Sequence, residues 1–377
     1  MSKNLVGKAL SIILSIQFAL LSFATLPLTP FAADAENISY KRAEQILLSN
    51  NKNLRNLEGQ IYDLKKDYES ALSYEIDQEV WYNSDAYRRM QLLKRKELNP
   101  QQAEHALLTA QENLQATRNN LILNLRDKYL SLLIAKQDLE IKNLRYQIAN
   151  KTHEINKIKF NNDLISHLEL LESEYNFLSS QTELFISKRN FDTACRNLNL
   201  FVGHSIDVTY SVVESEPLND QSIYALSYCI ENALKNRREL KSLQRELNLK
   251  KFQKELIERN NVHITYASVR EEHKSLVSSI NNLELQIQKA TYDIEKEVRD
   301  TYYSLMEAWE AVENAKKRLE GIKAKGYLIE EKIKAGVVSE SMREQVKLEI
   351  LQAEYEIQNA KFRYNTALLK LYIVAAL

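Results

Sequence analysis

The chain offers few groups that could do bond chemistry, and their spacing assigns them none. Its six histidines are scattered and pair with no second His or Cys at metal-ligand spacing. His153 reads as a histidine tolerated on a packed helix row. Cys195 and Cys229 lie 34 residues apart on successive helices, and two cysteines build no framework. They read as buried free thiols, with a disulfide outside the cell as the alternative. Asp and Glu recur at helical spacing beside Lys and Arg, the pattern of solvated faces and intrahelical pairs rather than acid–base dyads. No glycine-rich phosphate loop and no nucleophile–base constellation occurs. The sequence reads as a non-enzyme, and no cofactor is expected.

The elements that such a chain can build are equally restricted. In 377 residues there are only six Gly and four Pro, where average usage would supply roughly 25 and 19. Sheets, barrels and nucleotide-binding α/β folds need tight turns built from these residues. A few very long helices are the expected fold class: all-α, in long antiparallel coiled-coil hairpins. The 51 basic and 51 acidic residues cancel, which leaves no electrostatic footprint for nucleic acid. Hydrophobic residues make up 44%, too many for a disordered chain.

The first 35 residues read as a secretory signal. Lys3 and Lys8 precede the uncharged stretch Ala9 to Leu26, and Ala33-Asp34-Ala35 supplies the small residues of a cleavage site. A retained membrane anchor is the alternative reading of the same apolar stretch. No other uncharged run approaches twenty residues.

The remainder contains itself twice. Asn50, Leu54, Leu57 and Ile61 match Asn236, Leu240, Leu243 and Leu247 at an offset of 186. Further on, Arg126, Asp127, Tyr129, Ser131 and Leu132 match Arg299, Asp300, Tyr302, Ser304 and Leu305 at an offset of 173. The expected division is a first repeat over 36–217 and a second over 218–377. In the second, Val298, Leu305, Val312, Leu319, Gly326 and Ile333 recur every seven residues. Thr301, Ala308, Ala315, Ile322 and Ile329 follow three places behind. This is a heptad seam of helices packed knobs-into-holes. The first repeat keeps the rhythm with Leu125, Leu132, Leu139, Tyr146 and Phe160. The seams are cut at 161–167 and 334–341. An interruption is also expected at Asn99-Pro100, and short strands are expected near 207–213 and 262–266, where apolar and polar residues alternate.

With the opening patterns ISYKRAEQILLSNNKNLRNL and YALSYCIENALKNRRELKSL, the RDxYxSL helix in both copies, and the turn IKAGVVSESMREQ, the chain resembles the TolC family of outer-membrane efflux proteins. The resemblance spans residues 37–377. It implies a homotrimer whose hairpins form a hollow helical tube, whose tip docks on a membrane-fusion adaptor joined to an inner-membrane transporter. It places the tip turns at Asn162, Asp163, Leu164 and Ser166 in the first copy and at Gly336, Val337, Val338 and Ser339 in the second. A plain helix-to-helix turn is the alternative reading of all eight. The family's barrel strands belong between Lys65 and Leu125 and between Lys251 and Val298. A membrane-spanning strand needs roughly 9–11 alternating residues. The first interval is dense in charge, and the second alternates only over Val262–Tyr266. The chain therefore reads as a shortened form without the barrel, associated with membrane only indirectly. Its expected place is the cell envelope, at the outer membrane or periplasm, or the cell surface if the source has one membrane. The competing function is a structural coiled-coil envelope protein that keeps the scaffold without transport.

Overall fold

In a computed structural model, residues 36–219 and 223–377 are described. The signal-peptide reading lies outside them. The described part is helical apart from two short strands, β1 (Glu36–Ile38) and β2 (Tyr210–Val213). The first repeat holds α1 (Tyr40–Asn50), α2 (Lys52–Leu72), α3 (Gln78–Tyr82), α4 (Ala86–Leu93), α5 (Asn99–Asn161) and α6 (His167–Val202). The second holds α7 (Leu226–Asn236), α8 (Arg238–Arg259), α9 (Val262–Thr265), α10 (Ala267–Lys334) and α11 (Ser341–Val374). With 63 residues, α5 alone is about 95 Å long at 1.5 Å per residue.

The expected seams are the buried rows. Leu125 and Leu132 in α5 and Val298, Leu305 and Val312 in α10 are fully buried. Each such side chain contributes roughly 1.5–3 kcal/mol. One core cluster joins the first repeat's Tyr40, Leu132 and Phe191 with Phe362 from the second; another belongs to the second repeat, around Val298, Leu305 and Leu368. Both cysteines are free and buried.

The duplication recurs in the backbone. The break between α1 and α2 at Asn51 has its counterpart at Arg237, between α7 and α8, at the 186-residue offset. At the far ends, α6 closes on Gly203 (φ 71°) and α11 on Ala376 (φ 54°), at the 173-residue offset. Both ends are tied by an asparagine amide. Asn50 Nδ2 donates to the Gly203 carbonyl at 3.1 Å, and Asn232 Nδ2 donates to the Ala375 and Ala376 carbonyls at 2.8 Å. The second repeat supplies this tie one helical turn earlier than the first.

Three local expectations need correction or completion. The helix is not interrupted at Asn99-Pro100. It passes from α4 through a π-helical turn, Lys94–Leu98, directly into α5. In that wide turn the Asn99 N–H reaches back to the Lys94 carbonyl, and the widened register accommodates a ring that lacks a donor and crowds the carbonyl four residues back. The true reversal of the first repeat lies in residues 73–85, around α3. The second repeat is shorter there and turns at Asn260-Asn261, with Asn261 left-handed at φ 55°. The strand expected at 262–266 is instead the one-turn helix α9. Val262 is buried while Ile264 is 63% exposed, so the two do not share a strand face. The apolar cluster here takes Val262 and Val269, with Tyr266 packed against it. Near 207–213 the strand is present as β2, pairing in parallel with β1, whose three residues carry no strand pattern of their own. Among the described residues, the intervals 66–124 and 252–297 hold helices and turns and no strand. No described helix is long and apolar enough to cross a membrane.

Side by side, the long helices make one layer. Toward the tips the order is α6, α5, α11, α10, and at the opposite end it is α2, α5, α8, α10. The α5–α11 join is polar: Gln137 donates to Gln358 at 3.1 Å and accepts from Asn359 at 2.9 Å. Helices α6 and α10, at the two edges, share no extended packing.

Candidate functional site

The two tip turns are the same device built twice. Each ends its incoming helix with a residue in the left-handed region, Asp163 at φ 57° and Gly336 at φ 71°, 173 positions apart. In the first, the Leu164 N–H donates to the Lys159 carbonyl and the Asp163 N–H to Phe160, both at 2.9 Å. In the second, the Val337 N–H donates to Lys332 at 2.9 Å and the Gly336 N–H to Ile333 at 3.0 Å. This double closure is the Schellman motif, which satisfies carbonyls that the ending helix leaves bare. Asp stands in for Gly at the first tip because a short polar side chain tolerates the left-handed region better than most residues. The sequence signal for that equivalence was the constant 173-residue offset, not the residue type.

Different ties hold the two outgoing helices. At the first tip Ser166 and Glu169 form a capping box: Ser166 Oγ accepts the Glu169 N–H at 3.3 Å, and Glu169 Oε2 accepts the Ser166 N–H at 2.7 Å. That backbone hydrogen bond holds the Glu169 carboxyl below its ordinary range. Asn162 Nδ2 also donates a hydrogen bond to the Ile158 carbonyl at 2.7 Å. The second tip has no side-chain cap on α11. There Ser339 Oγ lies 2.6 Å from Ser341 Oγ. Arg343 grips Glu330 with two bonds of 2.9 Å across the hairpin. The hydrogen bonds from Arg343 hold the Glu330 carboxyl below its ordinary range.

Both turns present an apolar residue to solvent at the same position. Leu164 and Val337 are each 71% exposed. In a Schellman motif this residue usually packs against one three places before the helix end, but here that place is lysine, Lys159 or Lys332. Val338 is half-buried. No hydrogen bond among the described residues links one turn to the other. The turns do share an end of the layer, where a groove of about 470 Å³ is lined by Ile165 and Glu169 of the first tip and by Gln345 and Leu348 of α11.

His153 lies higher on the α5–α6 seam. It is buried, 3.1 Å from Ser173 Oγ and stacked on Phe177 at 5.5 Å. No described group of three or more His, Cys, Asp or Glu is placed to hold a metal ion.

Residues 92–204 match the family model described as outer membrane efflux protein. No curated protein matches the sequence. Among solved structures, the chain is similar to a membrane protein from Pseudomonas aeruginosa, at 12% identity and a TM-score of 0.62, with 91% of each chain covered. It is similar to the Campylobacter jejuni CmeC outer membrane channel at 12% identity and a TM-score of 0.61, covering 89% of this chain and 85% of that one. Vibrio cholerae VceC gives 12% and 0.60, over 89% and 95%. At such identities the likeness is one of fold.

Proposed function

Since the chain belongs to the TolC family of outer membrane efflux proteins, a family of the cell envelope, we propose that it is an efflux-duct subunit whose copies close into a tube, three to a ring, with the tips docking on an adaptor joined to an inner-membrane transporter. The repeats 36–217 and 218–377 each contribute one hairpin to the wall. A duct does no bond chemistry, and selectivity rests on lumen width and the polar side chains facing it.

The observation that carries this reading is the open layer. Four helices side by side, with α6 and α10 sharing no extended packing, bury a seam between neighbours but enclose nothing. The wall is finished only by another copy. Leu164 and Val337, exposed alike at the same end, are suited to an apolar contact that the subunit itself does not provide.

Docking is tested by co-purification from native envelopes with an adaptor protein. The wild type should bring down the adaptor, and Leu164→Asp with Val337→Asp should lose it while keeping helix content and assembled mass. Retention of the adaptor by that double variant would remove the tips from the contact.

A further inference from the structure

The end of the layer opposite the tips is formed by the two reversals, residues 73–85 and 260–266. They sit against each other: the Tyr87 and Tyr266 rings lie 5.2 Å apart, and Met90 packs with Val262 and Val269. Each reversal presents one large apolar side chain to solvent, Tyr82 at 74% exposure and Ile264 at 63%.

A turn at a protein surface ordinarily leaves its free carbonyls to water. These two turns do not. The fourth residue of each outgoing helix, α4 and α10, is an arginine that reaches back over the turn. Arg89 donates to the Trp81 and Tyr82 carbonyls at 3.1 and 3.2 Å. Arg270 donates to the His263 and Ile264 carbonyls at 3.3 and 2.8 Å. Ser84 Oγ donates to the Val80 carbonyl, and the Ile264 and Tyr266 N–H groups donate to the Asn261 and Val262 carbonyls. Around each exposed apolar side chain the backbone acceptors are bonded within the chain, so displacing water from them costs little.

Composition points the same way. Four of the fourteen residues 74–87 are aromatic, against 8% of the whole chain, and all four are Tyr or Trp, the side chains that seat at a membrane–water boundary. Charge supplies no attraction of its own. Five cations meet five anions over residues 73–98, and three meet three over 258–274. Glu75 and Glu79 are exposed beside Tyr82, which holds any contact to headgroup depth.

We propose that this end rests directly on a phospholipid bilayer, with Tyr82 and Ile264 seated among the headgroups and Arg89 and Arg270 keeping the turn carbonyls bonded as water leaves. The occupant is lipid rather than a protein because the two apolar points are small and flanked by backbone with no acceptor left to offer a partner. The helix ends lie on the membrane and do not cross it, in place of the indirect association expected from the sequence. The contact needs no second copy, so it stands apart from the duct reading.

Vesicle flotation tests it, using residues 36–377, which hold every described core cluster and lack the apolar stretch Ala9 to Leu26. This chain should float with phosphatidylcholine vesicles, and equally with vesicles containing phosphatidylglycerol, at low and at high salt. Tyr82→Asp with Ile264→Asp should lower the bound fraction about tenfold or more, with far-UV circular dichroism unchanged because both sites are exposed. Trp309→Phe leaves Trp81 as the one tryptophan. Its emission should move to shorter wavelength on adding vesicles, and a headgroup-depth quencher should dim it more than a deep one. A chain that stays in solution, or a double variant that floats equally well, overturns the proposal. Binding confined to phosphatidylglycerol vesicles and abolished by salt also overturns it, since charge alone would then be the attraction. Capture of a protein by this end without flotation does the same.

Discussion

Replacing Gly336 by Ala should destabilise the second tip by about 1 kcal/mol, and the sum is worked from two opposed effects. Gly336 sits at φ 71° with open space where a Cβ would be, so no clash contributes. Alanine in the left-handed region costs roughly 1–2 kcal/mol. Against this, losing glycine's freedom in the unfolded chain stabilises by about 0.4–1 kcal/mol. Strain wins, by an amount near the middle of these ranges. At the first tip the same two effects almost cancel: Asp163→Gly relieves strain at φ 57° but restores unfolded-state freedom, so its net effect should lie within about 0.5 kcal/mol of zero. Hydrogen exchange of the peptides covering 334–341 and 161–167, followed by mass spectrometry, reads the two tips separately. A Gly336→Ala variant protected as well as, or better than, the wild type would mean that the left-handed turn is not the populated structure.

Three other outcomes are expected. Tyr129 Oη reaches the buried Ile38 carbonyl at 3.0 Å and the Glu214 carbonyl at 2.7 Å, and the Ile38 carbonyl also accepts the Glu214 N–H at 3.0 Å, so Tyr129→Phe should cost about 1–3 kcal/mol in chemical denaturation, chiefly by taking the donor from the Glu214 carbonyl. Burial pushes the Cys195 thiol up to about 11, so alkylation at pH 8 should be negligible in the native protein and fast in denaturant. Glu169 is held below its ordinary range by the Ser166 N–H. A depressed folded value means that the capping box contributes fully above the usual carboxyl range and fades as pH falls through that folded value. Protection of 161–167, corrected for intrinsic exchange, should therefore hold from neutrality down through the ordinary carboxyl range and fall only at more acidic pH. In Glu169→Gln this pH dependence should be absent.

What could be read from the residues was whatever periodicity controls. The heptad rows of α5 and α10, the cuts at 161–167 and 334–341, and the repeat offsets are local or self-referential, and all appear as buried rows, turns and equivalent caps. Pro100 was misleading because a proline rule concerns ordinary α-helical registry, and the π turn at Lys94–Leu98 changes that registry upstream. Val262–Tyr266 alternates over too few residues to separate a strand from a single helical turn, and packing against Met90 and Ile257 decided it. The strand β1 was unreadable because its pairing with β2 spans more than 170 residues.

The proposed duct requires this layer of helices to close around an empty axis through further copies. End-on class averages of the purified protein by electron microscopy show whether it does. A three-fold ring with a hollow centre is the predicted image. Single rods, or bundles with a filled centre, would contradict it.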